Sequence, residues 1–89
     1  MSAEILIIDD NSDIREILND LIIDAGYITR LAANYNQALS EIDKKLPDVA
    51  IIDVKLDKGD NDGIELLNHI KNKNKNIPVI IISGHANID

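Results

Sequence analysis

The chain has 89 residues, 45% of them apolar, which suits one small domain spanning residues 1–89 and excludes two. Its net charge of −7 disfavours direct nucleic-acid binding, because an acidic surface repels phosphate backbones. The absence of cysteine excludes disulfides, thiolate zinc sites and iron–sulfur ligation, while no apolar run approaches the roughly 18 residues that cross a bilayer and no charged-then-apolar leader opens the chain. A cytoplasmic protein without a membrane segment is expected.

Isoleucine supplies 18 of the 89 residues, and phenylalanine and tryptophan are absent, so the core must be aliphatic. Residues 4–8 form a short β-branched run closed by Asp9 and Asp10, which predicts a buried strand. Ile14, Ile17, Leu18, Leu21, Ile22 and Ala25 then recur at helical spacing, with Asn11, Ser12 or Asp13 to cap the start and Gly26 to end it. Residues 27–33 alternate weakly and predict a second strand, nearer an edge because Thr29 and Arg30 interrupt it. Tyr35, Ala38, Leu39, Ile42 and Leu46 predict another amphipathic helix, capped by Asn34 and stopped by Pro47.

Residues 48–53 repeat the first pattern, apolar on both faces and again ending in an aspartate, Asp53. A polar, turn-rich stretch at 55–62 leads to a helix marked by Ile64, Leu66, Leu67 and Ile70, which fades into the lysine–asparagine alternation of 71–76. Residues 77–82 predict a fourth strand, followed by a turn at Ser83, Gly84 and His85. Strands alternating with helices indicate βαβ units and a doubly wound α/β fold with a parallel sheet. In strand order 2-1-3-4, right-handed crossovers put the first helix on one face and the next two on the other. Strands three and four then need further cover on the side of the first helix.

Ligands of open parallel sheets bind beyond the carboxyl ends of the strands, where successive connections turn to opposite faces. For this order that point lies between strands one and three, so Asp9, Asp10 and Asp53 converge there, with Ser83 ending strand four beside them. A single strand-end aspartate is ordinarily a helix cap or turn former; four such positions at one spot point to a site. Crowded carboxylates resist ionising unless a cation offsets them. Mg²⁺ suits oxygen ligands and keeps waters, and an aspartate beside it can act as a nucleophile toward phosphorus.

These residues resemble the receiver domains of two-component response regulators. The resemblance rests on Ile-Leu-Ile-Ile-Asp-Asp at 5–10, Ile-Ile-Asp-Val at 51–54, Asp62-Gly63 opening a helix, and the segment 78–84 ending in Ile-Ser-Gly. It implies the flavodoxin-like, CheY-like fold and phosphorelay signalling, with a sensor histidine kinase as partner and Asp53 as phosphoacceptor. It also implies Mg²⁺ bound by Asp10, Asp53 and the backbone carbonyl of Lys55, Asp9 acting mainly through water, and Ser83 contacting the phosphoryl group. Lys55 and His85 fall where the family tunes dephosphorylation. The long 53–63 loop, without the usual proline, and the Ile-Ser-Gly-His ending resemble the receiver of NtrX-type nitrogen regulators.

The family's fifth strand, with its lysine and aromatic switch residue, and its last helices have no counterpart in residues 1–89. The missing lysine implies slow or absent phosphotransfer, and the uncovered apolar sheet implies poor stability or self-association, as a homodimer or by strand exchange. A second reading is therefore a truncated receiver, inactive in phosphotransfer, that serves as a binding or assembly module. A third, an aspartate-nucleophile phosphatase, would need an acid where the chain has Lys55. A calcium loop at 57–63 fails because Lys58 and His69 fall at ligand positions. Lys71, Lys73 and Lys75 read as a solvated helix end.

Overall fold

The computed structural model describes residues 2–54, 56 and 61–82. Seven elements alternate as expected: β1 (Glu4–Ile8), α1 (Ser12–Asp24), β2 (Ile28–Ala32), α2 (Tyr35–Lys44), β3 (Val49–Asp53), α3 (Asp62–Lys73) and β4 (Val79–Ile82). The four strands are parallel and ordered β2-β1-β3-β4. Central β1 and β3 are apolar on both faces, the pattern a sheet covered on both sides requires.

Alternation along each strand divides the core into two layers. Leu6, Ile8, Ala50 and Ile52 face α2 and α3, where they pack with Ala38, Ile42, Leu66 and Ile70. Ile5, Ile7 and Ile51 form the opposite layer, against which Leu18 and Ile22 of α1 are only partly buried. The layers are unequal: among the described residues, eleven buried ones belong to the first and three to the second. Most stabilisation from apolar burial therefore comes from the side of α2 and α3.

The helical stripe of α1 is present but half of it is uncovered. Leu18 and Ile22 meet the sheet, whereas Ile17 and Leu21 are 55% and 61% exposed, and Ile80 of β4 is 51% exposed. Ile80 pairs with Ile51 and so stands on the α1 side of the sheet. The under-covered face expected from crossover handedness lies there.

Local signals account for the helix ends. The Asn11 side chain accepts from the backbone N–H groups of Asp13 and Ile14, and Gly26 takes φ 96° just past α1, a conformation that suits glycine. Asn34 caps α2 by accepting from the Gln37 N–H. That helix stops at Lys44, before the expected Leu46, which packs beneath the core instead.

Thr29 and Arg30, the two residues that interrupt the apolar pattern of β2, both have partners. The Thr29 hydroxyl lies 2.6 Å from Asn19 Oδ1. Arg30 Nη1 donates to the Glu41 carbonyl and carboxylate at 3.0 and 3.1 Å, and Nη2 donates to the Lys45 carbonyl at 2.6 Å. Its Nε sits 2.8 Å from Glu4 Oε1, an ion pair too poorly aligned to be a hydrogen bond. Lys44 and then Arg30 hold the Glu41 carboxyl below its ordinary pKa.

Lys71 differs from the solvated reading, whereas Lys73 stays exposed. Lys71 Nζ donates to the carbonyls of Ile77, at 2.5 Å, and Lys75, closing the turn from α3 into β4. Lys73 and His69 both reach Asp43 of α2, at 3.5 and 3.1 Å.

The unequal layers predict unequal mutational costs. Leu66→Ala, at a fully buried position, is expected to lose about 2–5 kcal/mol in urea unfolding, and Leu21→Ala no more than about 0.5 kcal/mol. Equal losses would contradict the assignment of the core to the α2 and α3 side.

Candidate functional site

Strand pairing brings the acidic residues together. Ile8 is in register with Ile52, so Asp9 and Asp53 occupy the next position of adjacent parallel strands. Both are 2% exposed, whereas Asp10 lies in solvent. One carboxylate oxygen from each of Asp9, Asp10 and Asp53 lies within 4.8 Å of the others. The three aspartates expected to converge do converge. Ser83, Lys55 and His85 lie outside the described residues.

Asp9 is held at three points. Its N–H donates to the Ala32 carbonyl of β2 at 3.2 Å. Oδ1 accepts the Asn11 N–H at 2.9 Å, and its carbonyl accepts from Arg15 Nη1 at 2.7 Å. Burial pushes the Asp9 carboxyl above its ordinary pKa; the Asn11 N–H opposes that shift, the charges of Asp53 and Asp10 add to it, and Arg15 opposes it. A buried carboxylate repelled by two others is an environment that a hard cation relieves. The donor set, three carboxylates within reach of one ion, fits Mg²⁺.

The other side of the site depends on the start of α3. Gly63 donates its N–H to the Val54 carbonyl at 3.1 Å, and Val54 donates to Ile82 at 3.0 Å. A Cβ on Gly63 would run into the Asp53 carbonyl and sit 2.6 Å from Val54 Cα. These are backbone atoms and cannot rotate away, so glycine is needed at position 63, where α3 starts against the end of β3. Asp62, buried at 3% exposure, begins that helix.

Arg15 was not legible as a site residue in the sequence. The available signal was its place in the first turn of α1, six residues after Asp9, where a long side chain can turn back over the β1–α1 loop.

Residues 5–89 match the model of the response regulator receiver domain. The whole chain is 39% identical to nitrogen assimilation regulatory protein NtrX of Azorhizobium caulinodans, of which it spans 20%. It is 40% identical to sporulation initiation phosphotransferase F of Bacillus subtilis, of which it spans 70%. Among solved structures, NtrX from Brucella abortus in complex with ADP superposes with a TM-score of 0.86 at 38% identity, over 98% of this chain and 20% of that one. A CheY-like receiver domain protein from Methanospirillum hungatei gives 0.87 at 26% identity, over 99% and 69%. The chain thus spans about a fifth of the NtrX proteins it matches.

Two outcomes are expected. Gly63→Ala should lower stability by about 1–3 kcal/mol in thermal or urea unfolding, because the added methyl meets backbone, and should shift the Asp53 amide resonance; an unchanged Asp53 environment would contradict the close approach. With a chelator present, carboxyl NMR should show Asp9 titrating above the ordinary aspartate range, and Asp53→Asn should move it down by removing the stronger neighbouring charge. The folded chain holds this proton more tightly than the unfolded chain. Its stabilising contribution is therefore full below the ordinary aspartate value and is lost as pH rises through the raised one.

Proposed function

The chain belongs to the response regulator receiver domain family, and from that premise we propose that it accepts a phosphoryl group on Asp53 from a phosphohistidine of a partner sensor histidine kinase in the cytoplasm. The observation that supports this most is the convergence of Asp9, Asp10 and Asp53 at the carboxyl ends of β1 and β3.

An Asp53 carboxylate oxygen attacks phosphorus. The new O–P bond forms as the P–N bond of the donor breaks, and that electron pair returns to the imidazole. Asp53 is a suitable nucleophile because β3 pairing and the close Gly63 contact fix its backbone, and a nucleophile held in place avoids much of the entropic cost of alignment. Asp9, Asp10 and Asp53, with the Lys55 carbonyl, would hold Mg²⁺. When bound, the ion supplies positive charge that offsets the carboxylates and the phosphoryl oxygens. Ser83 contacts the transferred group. One phosphoryl group is accepted per event and the output is conformational, so the module is a phosphoacceptor rather than a turnover enzyme.

Acetyl phosphate tests the reading directly. Incubated with Mg²⁺, the full-length protein should gain the mass of one phosphoryl group, and hydroxylamine should remove it, as for an acyl phosphate. Asp53→Asn, or excess chelator, should abolish the gain. Failure of the wild-type protein to gain mass from either acetyl phosphate or a phosphorylated kinase would overturn the proposal.

A further inference from the structure

Arg15 reaches from α1 to the backbone of the acidic site, and the proposed function assigns it no role. Its Nη1 donates to the Asp9 carbonyl at 2.7 Å, the short distance of a charge-assisted hydrogen bond. With the Asp9 N–H on Ala32 and the Asp9 carboxylate on the Asn11 N–H, this contact completes the fixing of Asp9 at both its main chain and its side chain. Asn11 in turn caps α1, and the Arg15 N–H donates to the Asn11 carbonyl at 3.0 Å. Residues 9–15 thus close on themselves through both backbone and side chain.

We propose that Arg15 is a positioning residue for the divalent cation, fixing the β1–α1 loop so that Asp9 and Asp10 meet the geometry Mg²⁺ demands. The inference rests on the proposed Mg²⁺ site. Two effects of Arg15 on a cation oppose each other. Its charge repels the ion, so loss of that charge alone would tighten binding. Its hydrogen bond holds the loop, so loss of that bond would weaken binding. Arg15 is half-exposed, and solvent and salt screen such a charge. Mg²⁺ is small and requires near-ideal octahedral geometry, which leaves little room for a loosened ligand loop. The positioning effect therefore outweighs the repulsion.

Arg15→Ala removes the donor with the best helix-forming residue, and Arg15→Met keeps an unbranched apolar stem without a donor. Backbone-amide NMR titration of the full-length protein with Mg²⁺ and, separately, Ca²⁺ reads binding without relying on phosphotransfer. Both variants should bind Mg²⁺ about tenfold more weakly, the lower end of the range seen when a group that orients metal ligands is lost. Ca²⁺, which tolerates flexible coordination, should weaken less, so that selectivity for Mg²⁺ falls. A merely structural role would lower thermal stability and leave this selectivity unchanged. Equal or tighter Mg²⁺ binding by folded variants, or equal losses for the two ions, would overturn the inference. Failure of the wild-type protein to bind Mg²⁺ would instead overturn the proposed cation site itself.

Discussion

Three carboxylates within 4.8 Å of one another repel, and the fold has to hold them there. Parallel pairing of β1 with β3 makes the arrangement unavoidable: once Ile8 is opposite Ile52, Asp9 and Asp53 must follow side by side. A shift of one residue would separate them, but it would also turn Leu6 and Ile8 away from α2 and α3. The aliphatic core and the acidic site are thus set by the same register. The energy that keeps the carboxylates together comes from burying Leu6, Ile8, Ala50 and Ile52, which are all fully buried.

The other contacts pin this register at its two ends. At the amino ends of the strands, Glu4 N–H donates to Asp48 Oδ2 at 2.7 Å and Asp48 N–H to the Glu4 carbonyl at 2.8 Å, so β1 and β3 start in step. Arg30 joins β2 to the same place through Glu4, Glu41 and the Lys45 carbonyl. At the carboxyl ends, α3 approaches so closely that only glycine fits at position 63. The Glu4, Arg30 and Lys45 ion pairs therefore lie at the opposite ends of the strands from the acidic site.

The architecture was legible because the signals are redundant. Apolar runs on both faces mark central strands, Asn11 and Asn34 mark helix starts, and handedness then leaves few topologies. The acidic site was legible because its three aspartates end or directly follow apolar strand runs. Less visible were features that depend on distances across the chain. Arg30 read as an interruption of β2, although on an edge strand it is the centre of an ion-pair cluster. The glycine of Asp62-Gly63 was seen as a motif, but its reason, contact with the Asp53 and Val54 backbone, requires the packed structure. Arg15 offered only its position. The apolar stripe of α1 predicted a buried face, and periodicity could not say that Leu18 and Ile22 are covered while Ile17 and Leu21 are not.

That last difference bears on how the site is held. The acidic loop joins β1, which like β3 is buried at four of its five positions, to α1, which has no fully buried residue. On the strand side, burial fixes Asp9. On the helix side, burial contributes little, and the order of the loop rests on polar contacts: the Asn11 cap, the Asn11 N–H on Asp9, and Arg15 on the Asp9 carbonyl. Such bonds each contribute about 1 kcal/mol net, and more where a charge is involved, so losing one is felt locally before it threatens the core. A cation at the carboxylates draws on the same loop. The site and the first turn of α1 are in this way coupled through shared hydrogen bonds, while the α2 and α3 layer keeps β3, and with it Asp53, in place.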